Sequence, residues 1–386
     1  MKTLSIRTPW NGRRSTLAAV LLAALPATFC AADSRADQAS PFFETQPLYE
    51  GQRFPSVVVA VDGTILAFRA GGAPVEVRRS EDGGATWGPA IEVGGGKTNL
   101  GAAIVDDTTG NIMVFQGRQM FGSSDAGKTW QPRETTIQPD DLGGIGGTHG
   151  ADSGITLQFG EHKGRLLQPA RVVVPGLDND PKRWPYHYNS AIYSDDGGTT
   201  WQTSHPFPVL GTGEGTLAEL SDGRVYYNSR CHMATDAMRR TAWSFDGGAT
   251  WINPETSTVL PDGPRGARYG CAGGLTRLPA EEKDVLVYSN LDFEGGSGRG
   301  EGRQKITVWA SLDGAKTWPV KRLVYDGPAA YSSLAAGRPG TPSEGLVYLL
   351  YEGGPDGMYS AIHLARFNLA WLLEGEPTGD GELPKQ

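Results

Sequence analysis

Short runs of strand-forming residues, separated by glycine-rich turns, recur along most of the chain. In the first clear example, a strand predicted over Ser56–Ala60 is followed by the turn Asp62-Gly63 and a second strand over Thr64–Phe68. After the loop Arg69–Ala73, a third strand is predicted over Pro74–Arg79. Because Asp-Gly between two apolar runs is typical of a tight hairpin, the pattern predicts antiparallel sheets of short strands. The chain is therefore expected to be all-β.

A second pattern, Ser-x-Asp-x-Gly-x-Thr-Trp, occurs five times. The copies begin at Ser80, Ser123, Ser194, Ser244 and Ser311, and in the last copy Ala315 replaces the usual glycine. In each copy the aspartate can accept hydrogen bonds from the amides of its own turn, glycine supplies a positive φ, and the tryptophan can bury below the turn. These acids therefore shape turns and are not catalytic candidates. The spacing of the copies is near the length of one four-stranded blade, so the repeat predicts a propeller.

The segment 331–371 is predicted to form a sixth unit that lacks the repeated turn. Strands are expected over Tyr331–Ala336, Gly345–Tyr351 and Tyr359–Phe367, and Glu44–Tyr49 near the N-terminus can supply the missing fourth strand. The sequence thus predicts a six-bladed β-propeller of four-stranded antiparallel blades, over residues 33–373, with the ring closed by the N-terminal strand. Residues 374–386 are polar and are expected to form an unstructured tail.

Composition and charge narrow the functional classes. The 54 glycines and 26 prolines exclude a helical bundle. Basic residues followed by the apolar run Thr16–Ala27 predict a signal peptide over residues 1–32, with cleavage after Ala32 and export to the periplasm or medium. The pair Arg13-Arg14 also fits the twin-arginine route. The net charge of −8 becomes more negative without that basic segment, so neither nucleic acid nor a membrane is expected as a partner. A monomer is expected.

Two cysteines, Cys231 and Cys271, follow the predicted signal peptide. In an exported protein such a pair favours a disulfide, here a bridge that braces the loop after Arg230, while two free buried thiols are the alternative. The six histidines are scattered without the spacing of a metal site, so neither a metal nor an organic cofactor is expected.

The strand order of a propeller predicts which residues meet at its central mouth. The repeated turns lie on one rim, whereas the start of the first strand, the end of the second and the start of the third share the opposite rim. That rim is predicted to hold charged and phenolic side chains from several blades: Arg53, Glu214, Arg230, Arg303, Tyr331 and Glu352. Planar guanidinium groups form paired hydrogen bonds with carboxylates, so three of them at one mouth indicate an anion site.

Several motifs at these positions resemble those of a bacterial exo-sialidase, or neuraminidase, with Asp-box (BNR) repeats. The resemblance covers residues 44–371 and rests on the repeats together with short motifs: Arg53-Phe54-Pro55, Gly213-Glu214-Gly215, Asn228-Ser229-Arg230, Ala330-Tyr331-Ser332 and Leu349-Leu350-Tyr351-Glu352. It implies that the three arginines bind the substrate carboxylate and that Tyr331 is the nucleophile. It further implies that Glu214 polarises the phenol and that Glu352 orients Arg53.

One element of the sialidase pattern is missing. Sialidases carry an aspartate as general acid/base in a first-blade loop, and the corresponding loop Arg69–Ala73 contains no acid. Glu76, His149 and Asp152 are the possible substitutes on the mouth rim, and Asp152 is preferred. The cluster that contains Tyr186 and His187 precedes a strand on the same rim. These two residues are expected to contact the glycerol or N-acyl side of the sugar, with ordinary strand packing as the alternative.

The resemblance implies a retaining exo-glycosidase that releases terminal sialic acid from glycoconjugates. Two alternatives stay open at this point. One is a hydrolase of another 2-keto-3-deoxy sugar acid of the Kdn or Kdo type, because the shortened loop could widen the pocket. The other is a carbohydrate-binding propeller without activity, which kept the anion site and lost the acid.

Overall fold

The described residues of the computed structural model cover most of the predicted propeller. They are 40–51, 53–71, 74–97, 100–117, 119–150, 152–173, 182, 184–265, 270–279, 283–296 and 301–383. The predicted signal peptide lies outside the described residues.

The described segments are dominated by β-strands. In chain order they are β1 (Phe43–Glu50), β2 (Arg53–Val59), β3 (Ile65–Ala70), β4 (Pro74–Ser80), β5 (Ile91–Lys97), β6 (Leu100–Val105), β7 (Ile112–Gln116), β8 (Gln119–Ser123), β9 (Gln131–Arg133), β10 (Thr136–Gln138), β11 (Ile155–Thr156), β12 (Leu166–Val172), β13 (Tyr188–Ser194), β14 (Thr200–Thr203), β15 (Thr212–Glu219), β16 (Val225–Cys231), β17 (Met238–Ser244), β18 (Ile252–Pro261), β19 (Gly274–Arg277), β20 (Leu286–Leu291), β21 (Gln304–Ser311), β22 (Val320–Ala336), β23 (Leu346–Gly353), β24 (Ala361–Asn368) and β25 (Glu376–Pro377). A 3₁₀ turn covers Trp184–Tyr186, and the helix α1 covers Leu369–Leu373. Among the described residues, no helix has the length and apolar character needed to cross a membrane.

The strands form antiparallel sheets of the propeller kind, which confirms the all-β prediction. Three sheets have four strands, in the orders β2-β3-β4-β5, β6-β7-β8-β9 and β15-β16-β17-β18. A fourth has the order β10-β14-β13-β12-β11, in which β10 is parallel to β14. The fifth has eight strands, because β1-β24-β23 and β21-β20-β19 both join β22, and β25 adds to the same strand.

The eight-stranded sheet corrects the expectation of six separate sheets. β22 is 17 residues long, and it pairs with β21 over its first half and with β23 over its second half. The two sets of strands are therefore joined by continuous backbone hydrogen bonding, although each set alone has the order expected for one blade.

The N-terminal strand occupies the predicted position. β1 pairs antiparallel with β24, with Phe43 opposite Phe367 and Glu50 opposite Ala361. The inner strands contact one another in the sequence β2, β6, β11, β15, β19 and the second half of β22, which in turn contacts β2. Apolar side chains fill the space between neighbouring sheets, as in the cluster of Val58, Phe68 and Val114.

The repeated turns have the hydrogen bonds predicted from their sequence. In the first copy, Ser80 Oγ donates to Asp82 Oδ1, and the amide and hydroxyl of Thr86 donate to the same carboxylate. Trp87 Nε1 donates to the carbonyl of Gly84. The other copies repeat the serine–aspartate and threonine–aspartate bonds, so these aspartates are structural.

The first part of the C-terminal tail is ordered, contrary to the sequence-based expectation. Glu376 and Pro377 pair with Lys321 and Val320 of β22. Asp380 accepts a hydrogen bond from the amide of Trp318 at 2.9 Å. The segment 374–381 therefore packs along residues 317–322, at the start of β22, and does not extend into solvent as a free tail.

Candidate active site

The three predicted arginines lie around one phenol ring. Arg53 opens β2, Arg230 lies at the end of β16, and Arg303 immediately precedes β21. Their guanidinium carbons are 5.0, 5.8 and 5.6 Å from the centre of the Tyr331 ring, in that order. The strand-order argument for a common rim is thereby supported for all three arginines.

Irregular strand pairing gives several site residues their orientation. The register of the β2–β3 pair shifts between Arg53 and Ser56, and that of the β15–β16 pair shifts between Thr212 and Gly215, around Glu214. The β22–β23 pair shifts between Ala329 and Ser332, around Tyr331. A bulge breaks the regular alternation of side chains, so it can turn a side chain of an inner strand toward the mouth.

Tyr331, Glu214 and Arg230 form a closed hydrogen-bonded triangle. The phenol of Tyr331 donates to Glu214 Oε1 at 2.6 Å. Arg230 donates from Nη1 to the phenol oxygen at 2.8 Å and also to Glu214 Oε2. All three residues are buried, so these bonds are only weakly screened by water.

Electrostatics keep the phenol neutral and the carboxylate charged. Burial raises the pKa of Tyr331 well above its ordinary value, although the positive charge of Arg230 opposes the shift. Burial alone would also raise the pKa of Glu214, but the charges of Arg230 and its neighbours outweigh it and hold that pKa well below the usual range. Glu214 is therefore ionised, and its Oε1 accepts the hydrogen bond of a neutral phenol.

Glu352 connects the first arginine with the backbone next to the phenol. Its carboxylate is fully buried and accepts the amide of Phe54 at 2.8 Å and the amide of Tyr331 at 3.1 Å. Its Oε1 lies 3.3 Å from Nε of Arg53. Phe54 has φ of 59°, an uncommon value for a residue other than glycine, and the bond to Glu352 helps to hold it there. Glu352 thus contacts Arg53, the arginine that the resemblance implied it would orient.

Tyr359 is a site residue that the sequence analysis missed. Its ring lies 4.0 Å below the guanidinium carbon of Arg53, and its hydroxyl accepts a hydrogen bond from Arg303 at 3.1 Å. Arg303 also donates to the carbonyl of Gly270 at 2.7 Å. Tyr359 shortly precedes β24, the third strand of its unit, and the rule that places starts of third strands on the mouth rim could have identified it.

The preferred acid candidate, Asp152, has both carboxylate oxygens in hydrogen bonds to inner strands. Oδ1 accepts from the hydroxyl of Ser333, while Oδ2 accepts from the hydroxyl of Thr216 and the amide of Leu275. Burial raises the pKa of Asp152 to about 6. The residue borders the same small cavity as Tyr331, yet its contacts tie three strands together at the centre of the fold. This geometry favours a structural role over proton donation.

The other two acid candidates also have neighbours. Glu76 forms an ion pair with Arg69 at the rim. The ring of His149 is half-buried and lies 5.7 Å from that of Phe54, which itself is 5.7 Å from the Tyr331 ring. Next to His149, Gly150 packs so closely on Glu214 that an added Cβ would lie 2.8 Å from Oε1. The segment 149–150 therefore forms one wall beside Tyr331 and Glu214.

The two predicted sugar contacts differ in exposure. Tyr186 is 61% exposed in its 3₁₀ turn, so its ring is available to a ligand. His187 is buried, and its carbonyl accepts a hydrogen bond from Gly211. The carbonyl of Gly211 in turn accepts a hydrogen bond from the amide of His232. Burial and the positive charge of Arg230 hold the pKa of His232 well below its ordinary value. His187 thus lies in the interior, linked through Gly211 to the backbone of His232.

The predicted disulfide is wrong, because Cys231 and Cys271 are both free buried thiols. The carboxylate of Asp262 and the guanidinium of Arg239 lie between the two segments instead. Asp262 accepts the amide of Cys231 at 2.8 Å, and Arg239 donates to the carbonyl of Cys271 at 3.1 Å. Arg239 and Asp262 were not identified from the sequence, since a buried ion pair leaves no local pattern.

Comparisons with known proteins show which proteins this chain resembles. A family model described as a BNR repeat-like domain matches residues 71–343. The sialidase of Micromonospora viridifaciens is 31% identical over 366 residues, which cover 84% of this chain and 52% of that protein. The sialidase of Bacteroides fragilis is 29% identical over 296 residues, which cover 65% of this chain and 49% of that protein. The chain thus spans about half the length of these curated relatives.

This chain is also similar to a solved sialidase structure. The Hadza microbial sialidase Hz136 superposes with a TM-score of 0.63 at 25% sequence identity. The superposition covers 83% of this chain and 66% of that one.

Proposed function

Since this chain belongs to the bacterial sialidase family with BNR repeats, we propose that it is a retaining exo-sialidase that releases terminal sialic acid from glycoconjugates. One observation carries the proposal: three guanidinium groups lie within 6 Å of the ring of Tyr331, whose hydroxyl is hydrogen-bonded to a charged Glu214. An anion site directly beside a polarised phenol suits a sugar whose reacting carbon carries a carboxylate.

In the first step, Arg53, Arg230 and Arg303 bind the substrate carboxylate and fix the anomeric carbon over Tyr331. The phenol oxygen forms a bond to this carbon while the bond to the leaving oxygen breaks. Glu214 Oε1 takes the phenolic proton along the existing hydrogen bond. The leaving group departs as an oxyanion in the first step. In the second step water attacks the same carbon, the bond to Tyr331 breaks, and Glu214 returns the proton to the phenol oxygen. The proton that the attacking water releases neutralises the departed oxyanion, so the sum of the two steps is hydrolysis. Two displacements at one carbon retain its configuration.

A neutral phenol is a better nucleophile here than a carboxylate. A carboxylate side chain would approach an anomeric carbon that already carries a negative group, and the two charges would repel each other. The raised pKa of Tyr331 keeps its hydroxyl uncharged until the proton moves to Glu214. Sialidases are an exception to the usual pair of carboxylates for this reason.

Among the steps of the proposed reaction, protonation of the leaving oxygen has the weakest support from the acid candidates described above. Glu76 is paired with Arg69, and both oxygens of Asp152 accept hydrogen bonds from inner strands. A positioned acid contributes about 10²–10⁴-fold in rate. We therefore propose that the acidity of the leaving group governs the rate of the first step.

We further propose a closed ring of six blades, counting the eight-stranded sheet as two blades that share β22. The cyclic sequence of contacts between inner strands supports this count. The basic and apolar N-terminal residues support export of the protein.

A panel of glycosides tests the activity. The 4-methylumbelliferyl glycosides of N-acetylneuraminic acid, Kdn and Kdo share an activated leaving group and differ in the sugar acid. We expect fluorophore release from the first at the highest kcat/KM, and ¹H NMR should show the α-anomer as the first product. A preference for Kdn or Kdo would reassign the substrate. Binding of all three without release would identify a carbohydrate-binding propeller.

A further inference from the structure

A buried ion pair lies behind two of the three arginines of the candidate active site. Arg239 Nη1 and Asp262 Oδ1 are 2.8 Å apart, and both side chains are 0% exposed. The next residue, Arg240, instead pairs with the half-exposed Asp236. Burial of two charges carries a large desolvation cost that only good geometry and further hydrogen bonds offset. A buried pair of this kind is therefore weak evidence for stability and stronger evidence for a defined arrangement.

The pair holds the strand end that carries Arg230. On one side of Arg230, the guanidinium of Arg239 donates to both the side-chain and the backbone oxygen of Asn228. On the other side, Asp262 Oδ2 accepts the amide of Cys231 at 2.8 Å. The backbone is thus fixed two residues before and one residue after Arg230, whose side chain contacts Glu214 and Tyr331 in the mouth.

The same pair holds the segment that binds Arg303. Arg239 donates to the carbonyl of Cys271 at 3.1 Å. Gly270 has φ of +53°, and an added Cβ would lie 2.5 Å from the Asp262 carbonyl oxygen and from Oδ2. The carbonyl of Gly270 accepts the hydrogen bond from Arg303 at 2.7 Å. Asp262 therefore contacts the backbone next to Arg230 and also the glycine that anchors Arg303.

We infer that the Arg239–Asp262 pair is a positioning device that sets the spacing of Arg230 and Arg303 and thereby the affinity for the substrate carboxylate. The inference rests on the proposed role of these two arginines as carboxylate ligands. The pair joins the two segments that the predicted Cys231–Cys271 bridge was expected to join. Unlike a disulfide, it also provides hydrogen-bond donors and acceptors that face both segments.

The variant Asp262→Asn tests the inference, because it keeps the shape of the side chain and removes its charge. Calorimetric titration with 2,3-didehydro-N-acetylneuraminic acid, a carboxylate-bearing mimic, should show an affinity at least tenfold weaker than that of the unchanged protein. With 4-methylumbelliferyl sialoside, KM should rise about tenfold while kcat changes less than threefold. A role in stability alone would leave both KM and the dissociation constant unchanged in the folded variant.

Asp284→Asn is the matched control. Asp284 pairs with Arg277 at 2.7 Å and accepts from Ser221 in the β15–β16 turn, at the other end of the strands that carry Arg230. This control should lower the thermal unfolding midpoint without a change in KM. Mimic binding by a folded Asp262→Asn protein at the unchanged affinity would overturn the inference.

A second variant covers the case in which Asp262→Asn does not fold. Arg239→Lys keeps the charge and loses the planar group that reaches Asn228 and Cys271 together, and it should weaken mimic binding severalfold. An unchanged affinity would overturn the inference. Failure of the unchanged protein to bind the mimic would instead overturn the proposed function, so the two failures are distinct.

Discussion

The phenol of Tyr331 donates a 2.6 Å hydrogen bond to Oε1 of Glu214, although the two residues are 117 positions apart in the chain. Each lies at a register shift of an inner strand, and Arg230 bonds to both of them. The proposed nucleophile and its proposed proton acceptor are therefore aligned before any substrate arrives. Such alignment removes a reorganisation that would otherwise add to the barrier of the first step.

Replacement of Tyr331 by phenylalanine should separate binding from turnover. The ring would still pack among the three arginines, but no oxygen would remain to form the covalent intermediate. We expect kcat on an activated sialoside to fall roughly 10³-fold or more, with the affinity for the carboxylate mimic changed less than about threefold. Tyr359→Phe is the control, because it loses a hydroxyl that bonds to Arg303 and should raise KM with little effect on kcat. Near-normal turnover by Tyr331→Phe would remove this residue as the nucleophile.

The low pKa of Glu214 predicts how the Glu214→Gln variant responds to pH. Burial alone would raise the pKa of Glu214, but the positive charges of Arg230 and its neighbours together have the larger effect and lower it. Glu214 therefore stays ionised when the pH falls to 4.5, the ordinary pKa of a glutamate. The variant should be about 10²-fold slower. The ratio of kcat/KM between the two proteins should be constant from pH 4 to pH 7, measured with the same aryl sialoside. A ratio that shrinks near pH 4.5 would contradict the assigned charge state.

The proposed dependence on the leaving group predicts a large difference between substrates. The aryl glycoside has a good leaving group, whereas sialyllactose needs protonation of its leaving oxygen. We expect kcat/KM for the aryl substrate to exceed that for sialyllactose by at least about 10²-fold. Equal values for the two substrates would mean that an effective acid operates, and His149→Gln would then be the first variant to examine.

The hydrogen bonds of Asp152 predict a role in stability. Its pKa of about 6 exceeds the ordinary 3.8, so between these values the folded protein binds a proton that the unfolded chain has released. The free energy of unfolding therefore falls as the pH rises from 4 to 6, by up to about 3 kcal/mol from this group. Urea unfolding should show a steeper fall for the unchanged protein than for Asp152→Asn. Equal slopes, or a loss of kcat above tenfold in the variant, would contradict this assignment.

The residues at the mouth could be predicted because, in a propeller, the end of the strand at which a residue lies determines the rim on which it is found. Arg53, Arg230 and Arg303 follow from this rule, and all three lie around Tyr331. The repeated turns were predictable for a related reason, since the bonds within each turn join residues only two to four positions apart.

Features that depend on distant partners could not be predicted in this way. Arg239 stands next to Arg240 in β17, and nothing local tells which of the two is buried; its partner Asp262 lies 23 positions further on. The spacing of Cys231 and Cys271 likewise contains no information on where their side chains point. The sequence Asp326-Gly327 favours a turn, yet β22 continues through it because both of its halves find pairing strands.

The continuity of β22 limits how this protein can be rearranged. Its first half completes one set of strands, and its second half carries Tyr331 into the next set. A chain break in that strand, as in a circular permutant opened near residue 327, would separate the proposed nucleophile from the backbone that aligns it. We therefore expect that neither of the two neighbouring sets can be exchanged as an independent module, whether by recombination in evolution or by design.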